Sequence, residues 1–461
     1  MPTWLSAALD YIPRWLAFQM RQGDHVGLSL AVVHQGRPVL TQAFGHANLD
    51  TGQLLTPGHR FRIASHSKTF TATAVMLLRE QDRLQLDDPI GRYVPGLHPL
   101  VAAATLAQLL SHSAGLVRDG RDAGQWVERR PFLNEAELRA DLADGPSIDA
   151  NTRFKYSNHG YALLGLAIEA ITGQAYADWL ASEVVAASGL QETLPDAPRQ
   201  GVQPLASGHS GKWPLGQRVV IPATMHTRAL SAATGFISTA CDLARFYGSL
   251  SPLAKKSVLS VASRREMTRP QWREPHASAE RWYGLGTMSG RVGGWDWFGH
   301  TGGFPGTLTR TACVPAQGLA ISALSNAADG PSQAWVDGML HILQAFEKHG
   351  APTRLSAPWT GRWWSLWGAV DLLPVQDKVL VANPSLPNPV LDAAELAELS
   401  RDRDGTRRGR IVLANGFAAH GEPVALSLDS RGKARAFQLA GGRLLPESAV
   451  AKELRTRYAR T

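Results

Sequence analysis

A serine and a lysine three residues apart, Ser65 and Lys68, stand at the mouth of an apolar run in FRIASHSKTFTAT (61–73). A serine hydroxyl is a weak nucleophile at neutral pH and needs a base nearby. With a helix beginning at Ser65, Lys68 falls about one turn on and on the same face. Burial at the base of a cleft would disfavour the charged form of that lysine and let it accept a proton. Amides at the helix start would offer donors to a developing oxyanion. A second pair, Tyr156 and Asn158, precedes an apolar helix in FKYSNHGYALLG (154–165). On an extended loop these side chains project the same way, a phenol that can relay a proton beside an amide that can bind a substrate carbonyl. The third group is His300-Thr301-Gly302-Gly303, closing a strand-like run with a polar head group and then backbone that a substrate can approach closely. Taken singly, each has a plain structural reading: a helix surface, a helix cap with a buried tyrosine, a strand end. Together, and in this order along the chain, they read as one site.

The elements that must position them alternate in kind. GLSLAVVHQGRPVLTQAFGHAN (27–48) reads as two strands around a Gln-Gly-Arg turn. Ser65 precedes an apolar-periodic helix, and further helices are expected at 105–111, 134–143, 158–172, 175–187 and 239–250. Strands return at 282–288, 295–300, 306–314 and 318–325, followed by an amphipathic helix at 332–350 that ends in Gly350. Runs of strands set apart from runs of helices predict an α+β fold with a mostly antiparallel sheet. At 351–361 the character changes to Pro-containing irregular sequence. Beyond it come short strand candidates, from RWWSLWGAVDLLPV to ARAFQLAGGRLLP, with turns such as DSRGK (429–433) between them. This predicts a small all-β barrel. The expected domains are 1–350, a linker at 351–358, and 359–461. The tryptophans of WTGRWWSLWG are expected to fill and rim the barrel.

With these motifs in place, the sequence resembles the class C β-lactamase and penicillin-binding serine hydrolase family, whose members carry Ser-x-x-Lys, Tyr-x-Asn and Lys/His-x-Gly. LAQLLSHSAGL (106–116), ATGFISTACDLARF (233–246) and YGLGTMSG (283–290) extend the resemblance over roughly residues 25–345. It implies a β-lactamase/transpeptidase-like domain, an antiparallel sheet flanked by helices, followed by a lipocalin-like barrel. It also implies Ser65 as the acylated nucleophile, Lys68 as its proton acceptor, and Tyr156 as general base and then acid. Asn158 would contact the substrate amide, and the N–H groups of Ser65 and Gly303 would form an oxyanion hole, with Gly302 beside them on the substrate side. His112 has a family position too and is read as structural. His300 stands where true class C β-lactamases have lysine. A histidine there is mostly neutral near pH 7, which points to the D-aminopeptidase- and esterase-like branch. The expected activity is hydrolysis of a short peptide or amide through an acyl-enzyme, D-residue-containing peptides included, with esterase side activity. The alternatives are acyl transfer or peptide cyclisation on the same acyl-enzyme and, from another class, a non-catalytic scaffold.

Composition narrows the rest. A chain of 461 residues with 44% hydrophobic and 19% charged residues has material for a sizeable core. The formal charge of +8 comes partly from RDRDGTRRGR (401–410) and the terminal KELRTRYAR, with no nucleic-acid module around them. Cys241 and Cys313 are expected to be free thiols. No metal or cofactor is expected: there is no His-Glu-x-x-His and no Cys/His cluster. SGHSGKW (207–213) fails as a phosphate loop at Trp213, and no Gly-x-Ser-x-Gly elbow is present. The first residues lack a basic leader and a cleavage site, and Leu5, Ala8, Leu16 and Phe18 suggest an amphipathic helix, so a protein without a membrane partner is expected, cytoplasmic with Met1 as the native start and periplasmic if the native N-terminus is missing.

Overall fold

The computed structural model describes residues 1–197, 204–275, 279–403, 405–414, 418–429 and 432–458. They form two compact units, His25–Val336 on one side and Met1–Asp24 with Asp337–Thr461 on the other. This grouping sets the first helix and most of the helix Ser332–His349 with the barrel, whereas the sequence reading places both in the hydrolase domain.

In His25–Val336 a nine-stranded antiparallel sheet carries the core. Its first hairpin pairs Gly27–His34 with Arg37–Asn48. Gln35 and Gly36 both have positive φ there (49° and 77°), the conformation that a tight two-residue turn requires. The strand Gly27–His34 also pairs with Leu319–Ser325, which pairs with Thr307–Val314 and then Trp295–Phe304. The sheet therefore holds the strand of His300 three places from the first hairpin, with Leu319–Ser325 and Thr307–Val314 between them. Against it lies the helix Ala240–Leu250, capped by the Thr239 hydroxyl, which accepts from the Asp242 N–H. The helix Ser67–Glu80 is buried along nearly its whole length and packs on Asn158–Thr172. Ser157 caps the latter by accepting from the Gly160 N–H at 2.9 Å, and Gly173 closes it in the left-handed conformation.

Just before the serine, Phe61–Arg62 pairs with Ile237–Ser238. The fully buried Arg62 guanidinium donates to the carbonyls of Ala223 (3.0 Å), Gly235 (2.9 Å) and Met225 and to the Asp196 carboxylate (2.9 Å). Three loops are tied to one cation, three residues from Ser65.

In the second unit eight antiparallel strands follow one another in sequence order from Gly361–Ser365 to Gly442–Leu444. Trp364 and Leu445 exchange backbone hydrogen bonds of 2.8 and 2.9 Å across the two ends, so the sheet is a nearly closed barrel. Trp359 and Trp363 fill its core with Leu372, Val379, Leu396, Leu426 and Phe437, while Trp367 stands exposed at a hairpin tip. Tyr11 from the first helix donates to Asp371, which Arg362 grips through Nε and Nη2 at 2.7 and 2.8 Å. The sequence reading has only strands here, but Glu447–Tyr458 is a helix. None of its residues is buried, so it lacks the apolar stripe by which helices are recognised. Residues 430–431 of the expected turn, 404 of the basic run and 459–461 of the tail lie outside the described residues. Among the described residues no helix is long and apolar enough to cross a membrane.

Replacing Arg62 by methionine removes the cation from Asp196, which keeps the donors of Thr227 and the Ala197 N–H, and takes the Arg62 donor from three carbonyls. Loss of one partner from a buried ionic network costs about 3–5 kcal/mol, so Arg62→Met should lower the melting temperature by several degrees in differential scanning calorimetry.

Candidate active site

Ser65 lies in a short 3-10 turn, Ala64–His66, that runs directly into the helix Ser67–Glu80. Ala64 is held at φ 49°, a strained conformation for a residue with a Cβ. Ser67 secures it by donating to the Ala64 carbonyl at 2.6 Å, and the Phe236 N–H donates to Ser67 Oγ at 3.0 Å. The turn leaves Ser65 partly exposed while Lys68 is fully buried beneath it.

Lys68 Nζ is 3.1 Å from Ser65 Oγ, 2.7 Å from Asn158 Oδ1 and 2.9 Å from the Ala233 carbonyl oxygen. The Tyr156 and Tyr161 rings lie 4.7 and 5.5 Å from it. Burial pushes the lysine well below its ordinary range, Asp119 pulls it partly back, and Arg118 pushes it down again. Tyr156 is hydrogen-bonded to the Ser65 side chain, and burial raises its pKa, so it stands as a neutral phenol. Asn158 begins its helix and spans two partners, accepting from Lys68 through Oδ1 and donating through Nδ2 to Asp119 Oδ1 at 2.5 Å. An amide has two lone pairs and two N–H donors, so one of each remains for another partner.

His300 is buried to 1% exposure. Its Nδ1 lies 2.6 Å from the Thr301 carbonyl oxygen and so donates, which leaves Nε2 to accept from the Tyr283 hydroxyl at 3.0 Å. Burial and the neighbouring His66 hold it well below the usual histidine range. The neutral imidazole expected from the sequence is thus reinforced. Gly302 has no room for a Cβ, which would meet the Ile63 carbonyl oxygen and Thr309 Oγ1, each at 2.3 Å. The strand therefore seats directly on the turn of Ser65. Gly303 is exposed, and a Cβ there would meet only Leu308 Cδ2 at 3.6 Å.

His112, at φ 58°, accepts from the Ser157 N–H through Nδ1 at 3.1 Å and packs its ring, tilted by 35°, with its centroid 4.1 Å from that of Tyr156. It braces the Tyr156 loop. The sequence reading missed two groups. His66 donates through Nδ1 to the Ile63 carbonyl (3.0 Å) and accepts through Nε2 from Thr311 (3.1 Å), with burial lowering its pKa to about 3. Asp119 sits on a loop with no periodic or motif signal, and only tertiary packing brings it to Asn158. Among the described residues no His/Cys/Asp/Glu cluster could hold a metal ion.

This fold and this arrangement define a beta-lactamase-type serine hydrolase fold, and the chain belongs to the beta-lactamase family, whose model matches residues 12–345. It is similar to Protein flp of Staphylococcus aureus strain N315, 28% identical over 173 residues, 37% of this chain and 34% of that one. The matched region thus spans about a third of that curated relative's length. Among solved structures, the octameric penicillin-binding protein homologue from Pyrococcus abyssi shares the fold with a TM-score of 0.65 at 21% identity, over 95% of this chain and 99% of that one. D-amino acid amidase from Ochrobactrum anthropi SV3 has a TM-score of 0.63 at 25% identity, over 74% of this chain and 99% of the amidase.

The two glycines should separate by substitution. Gly302→Ala forces the strand off the nucleophile turn and should lower stability by about 1–3 kcal/mol. Gly303→Ala, whose Cβ makes only an ordinary contact with Leu308, should leave the melting temperature within a degree or so of wild type. Thermal melts of both variants check this.

Proposed function

We propose that the protein is an acyl-enzyme-forming serine amidase or peptidase, with Ser65 as nucleophile and Lys68 as the base that activates it. The observation that carries this reading is the set of partners around Lys68 Nζ. Asn158 Oδ1 and the Ala233 carbonyl can only accept hydrogen bonds, so they take two N–H bonds of the amine. A neutral amine has only those two, and its lone pair is left facing Ser65 Oγ at 3.1 Å. Burial favours that neutral form.

In this mechanism Ser65 Oγ attacks the carbonyl while its proton passes to Lys68 Nζ. The oxyanion is met by the N–H groups of Ser65, at the unpaired first turn of its helix, and Gly303. The sequence reading casts Tyr156 as general base and then as general acid toward the leaving group. Its raised pKa favours the second of these roles: a neutral phenol, hydrogen-bonded to the Ser65 side chain, gives its proton to the departing amine and regains one from the Lys68 ammonium, which lies 4.7 Å from its ring. Water then attacks the acyl-enzyme, loses a proton to Lys68, and the proton returns to Ser65. Asn158 holds Lys68 and offers its remaining lone pair and N–H to a substrate amide.

The substrate class follows from His300 and from the amidase likeness. A buried neutral imidazole supplies no fixed cation for the carboxylate of a β-lactam or a peptide C-terminus. Short amides and peptides with an uncharged leaving side are favoured, D-amino acid amides among them, with simple esters as easier substrates.

Intact-protein mass spectrometry after a fluorophosphonate should show one adduct on wild type and none on Ser65→Ala. Wild type should also release ammonia from D- or L-amino acid amides faster than it opens a chromogenic cephalosporin. Adducts on both proteins, or cephalosporin turnover outrunning every amide and ester, would contradict the proposal. Because Lys68 must shed its proton, kcat/KM for p-nitrophenyl acetate should rise with pH along an acidic limb well below the ordinary lysine range, and Lys68→Met should abolish that limb together with at least about a hundredfold of activity.

A further inference from the structure

We infer that Asp119 is a positioning residue that restores basicity to Lys68 through the Asn158 amide, an inference that rests on the serine-hydrolase reading above and deepens it. Both Asp119 oxygens are committed. Oδ1 accepts from Asn158 Nδ2 at 2.5 Å and from Trp126 Nε1 at 3.0 Å, and Oδ2 accepts from Arg118 Nε at 2.9 Å. The carboxylate therefore stands at the far end of a continuous chain, Asp119–Asn158–Lys68–Ser65, whose links are 2.5, 2.7 and 3.1 Å.

The chain has an electrical direction. A carboxylate on the N–H side of an amide polarises it, so that its oxygen becomes a stronger acceptor toward Lys68. Both that oxygen and the negative charge behind it favour a proton on Nζ, whereas burial disfavours one. A lysine depressed without limit would be too weak a base to take the serine proton, since proton transfer works best with a pKa near the working pH. Asp119 opposes the desolvation and sets where the balance falls.

The groups facing Lys68 from the surrounding elements are few. Arg118 opposes Asp119 from the same loop, and His112 and His300 are held neutral by burial. Tyr156 and Tyr161 present ring faces and protonated phenols. Among the described residues acting on Lys68, Asp119 is the one carboxylate.

The loop that bears it is fixed. The Asn158 N–H donates to the Arg118 carbonyl at 2.9 Å, and His159 lies 3.3 Å from that same oxygen through Nδ1 and 3.0 Å from Asp141 through Nε2. Gly120 follows at φ 78°, where a Cβ would run into the Asp141 carboxylate. A charge set so rigidly can tune a neighbour without reorganising.

Asparagine at position 119 keeps an acceptor for Asn158 and Trp126 and loses the charge together with the acceptor for the exposed Arg118 Nε, so Asp119→Asn separates tuning of Lys68 from support of Asn158. The experiment is the rate of Ser65 labelling by a fluorophosphonate as a function of pH, read by intact mass, with melting temperatures recorded for each variant. Asp119→Asn should move the acidic limb down by about one pH unit and lower the plateau rate. Asp119→Glu should bring the limb back toward wild type. Arg118→Gln, at an exposed residue, should move it upward, which keeps the test alive should Asp119→Asn fail to fold. Limbs that coincide across wild type, Asp119→Asn and Arg118→Gln overturn the inference and leave Asp119 as mere support for Asn158. A wild type that takes no label at pH values where its melting temperature is unchanged overturns the serine-hydrolase reading itself, and this inference with it.

Discussion

One buried amine organises this site. An ammonium group removed from water is costly unless it is paired, and the usual remedy for an unpaired lysine is to lose its proton. Lys68 is surrounded by neutral acceptors, Asn158 and the Ala233 carbonyl, and by two aromatic faces, with its nearest carboxylate one amide away. That environment favours the neutral amine, and the carboxylate behind Asn158 keeps it basic enough to take a proton. Much of the surrounding architecture serves to maintain it. Asn158 leads a helix, Ala233 lies in the helix Ser231–Thr234, and the strained turn of Ala64 lifts the serine over the amine.

Around that amine the structure uses neutral imidazoles as struts. His66 ties the nucleophile turn to Thr311 on the sheet, His300 ties its own strand to Tyr283, and His112 anchors the loop of Tyr156. All three are buried, and burial holds all three below the usual histidine range. They supply hydrogen bonds of defined direction without adding cations beside a lysine that must be able to lose its charge. A lysine in place of His300 would add a second buried amine close to the first.

The parts of this molecule that were legible in its sequence are those where local pattern and tertiary role coincide. The hairpin of Gly27–Asn48 has strand-forming apolar residues on both sides of a turn at Gln35-Gly36, and the helix after Ser65 has its apolar period. The strand of His300 ends in two glycines, of which packing demands Gly302, and the reason there is the carbonyl of Ile63 and not a substrate. Ser65, Lys68, Tyr156 and Asn158 do converge, because each stands at the boundary of a recognisable element. Asp119 and His66 were not legible. Asp119 sits on an irregular loop and meets Asn158 only through folding, while nothing in the local pattern around His66 separates it from an ordinary residue at a helix start. Glu447–Tyr458 escaped for the opposite reason: it is a helix with no buried face, and its charges read as a solvated tail.

Neutron diffraction on deuterium-exchanged crystals, grown at the pH of fastest Ser65 labelling, addresses the central claim directly. The expected result is two deuterons on Lys68 Nζ, directed at Asn158 Oδ1 and the Ala233 carbonyl, and one on Ser65 Oγ directed at Nζ. Three deuterons on Nζ, with the Ser65 deuteron turned elsewhere, would contradict it, because the amine would then be a donor to the serine and could not be its base.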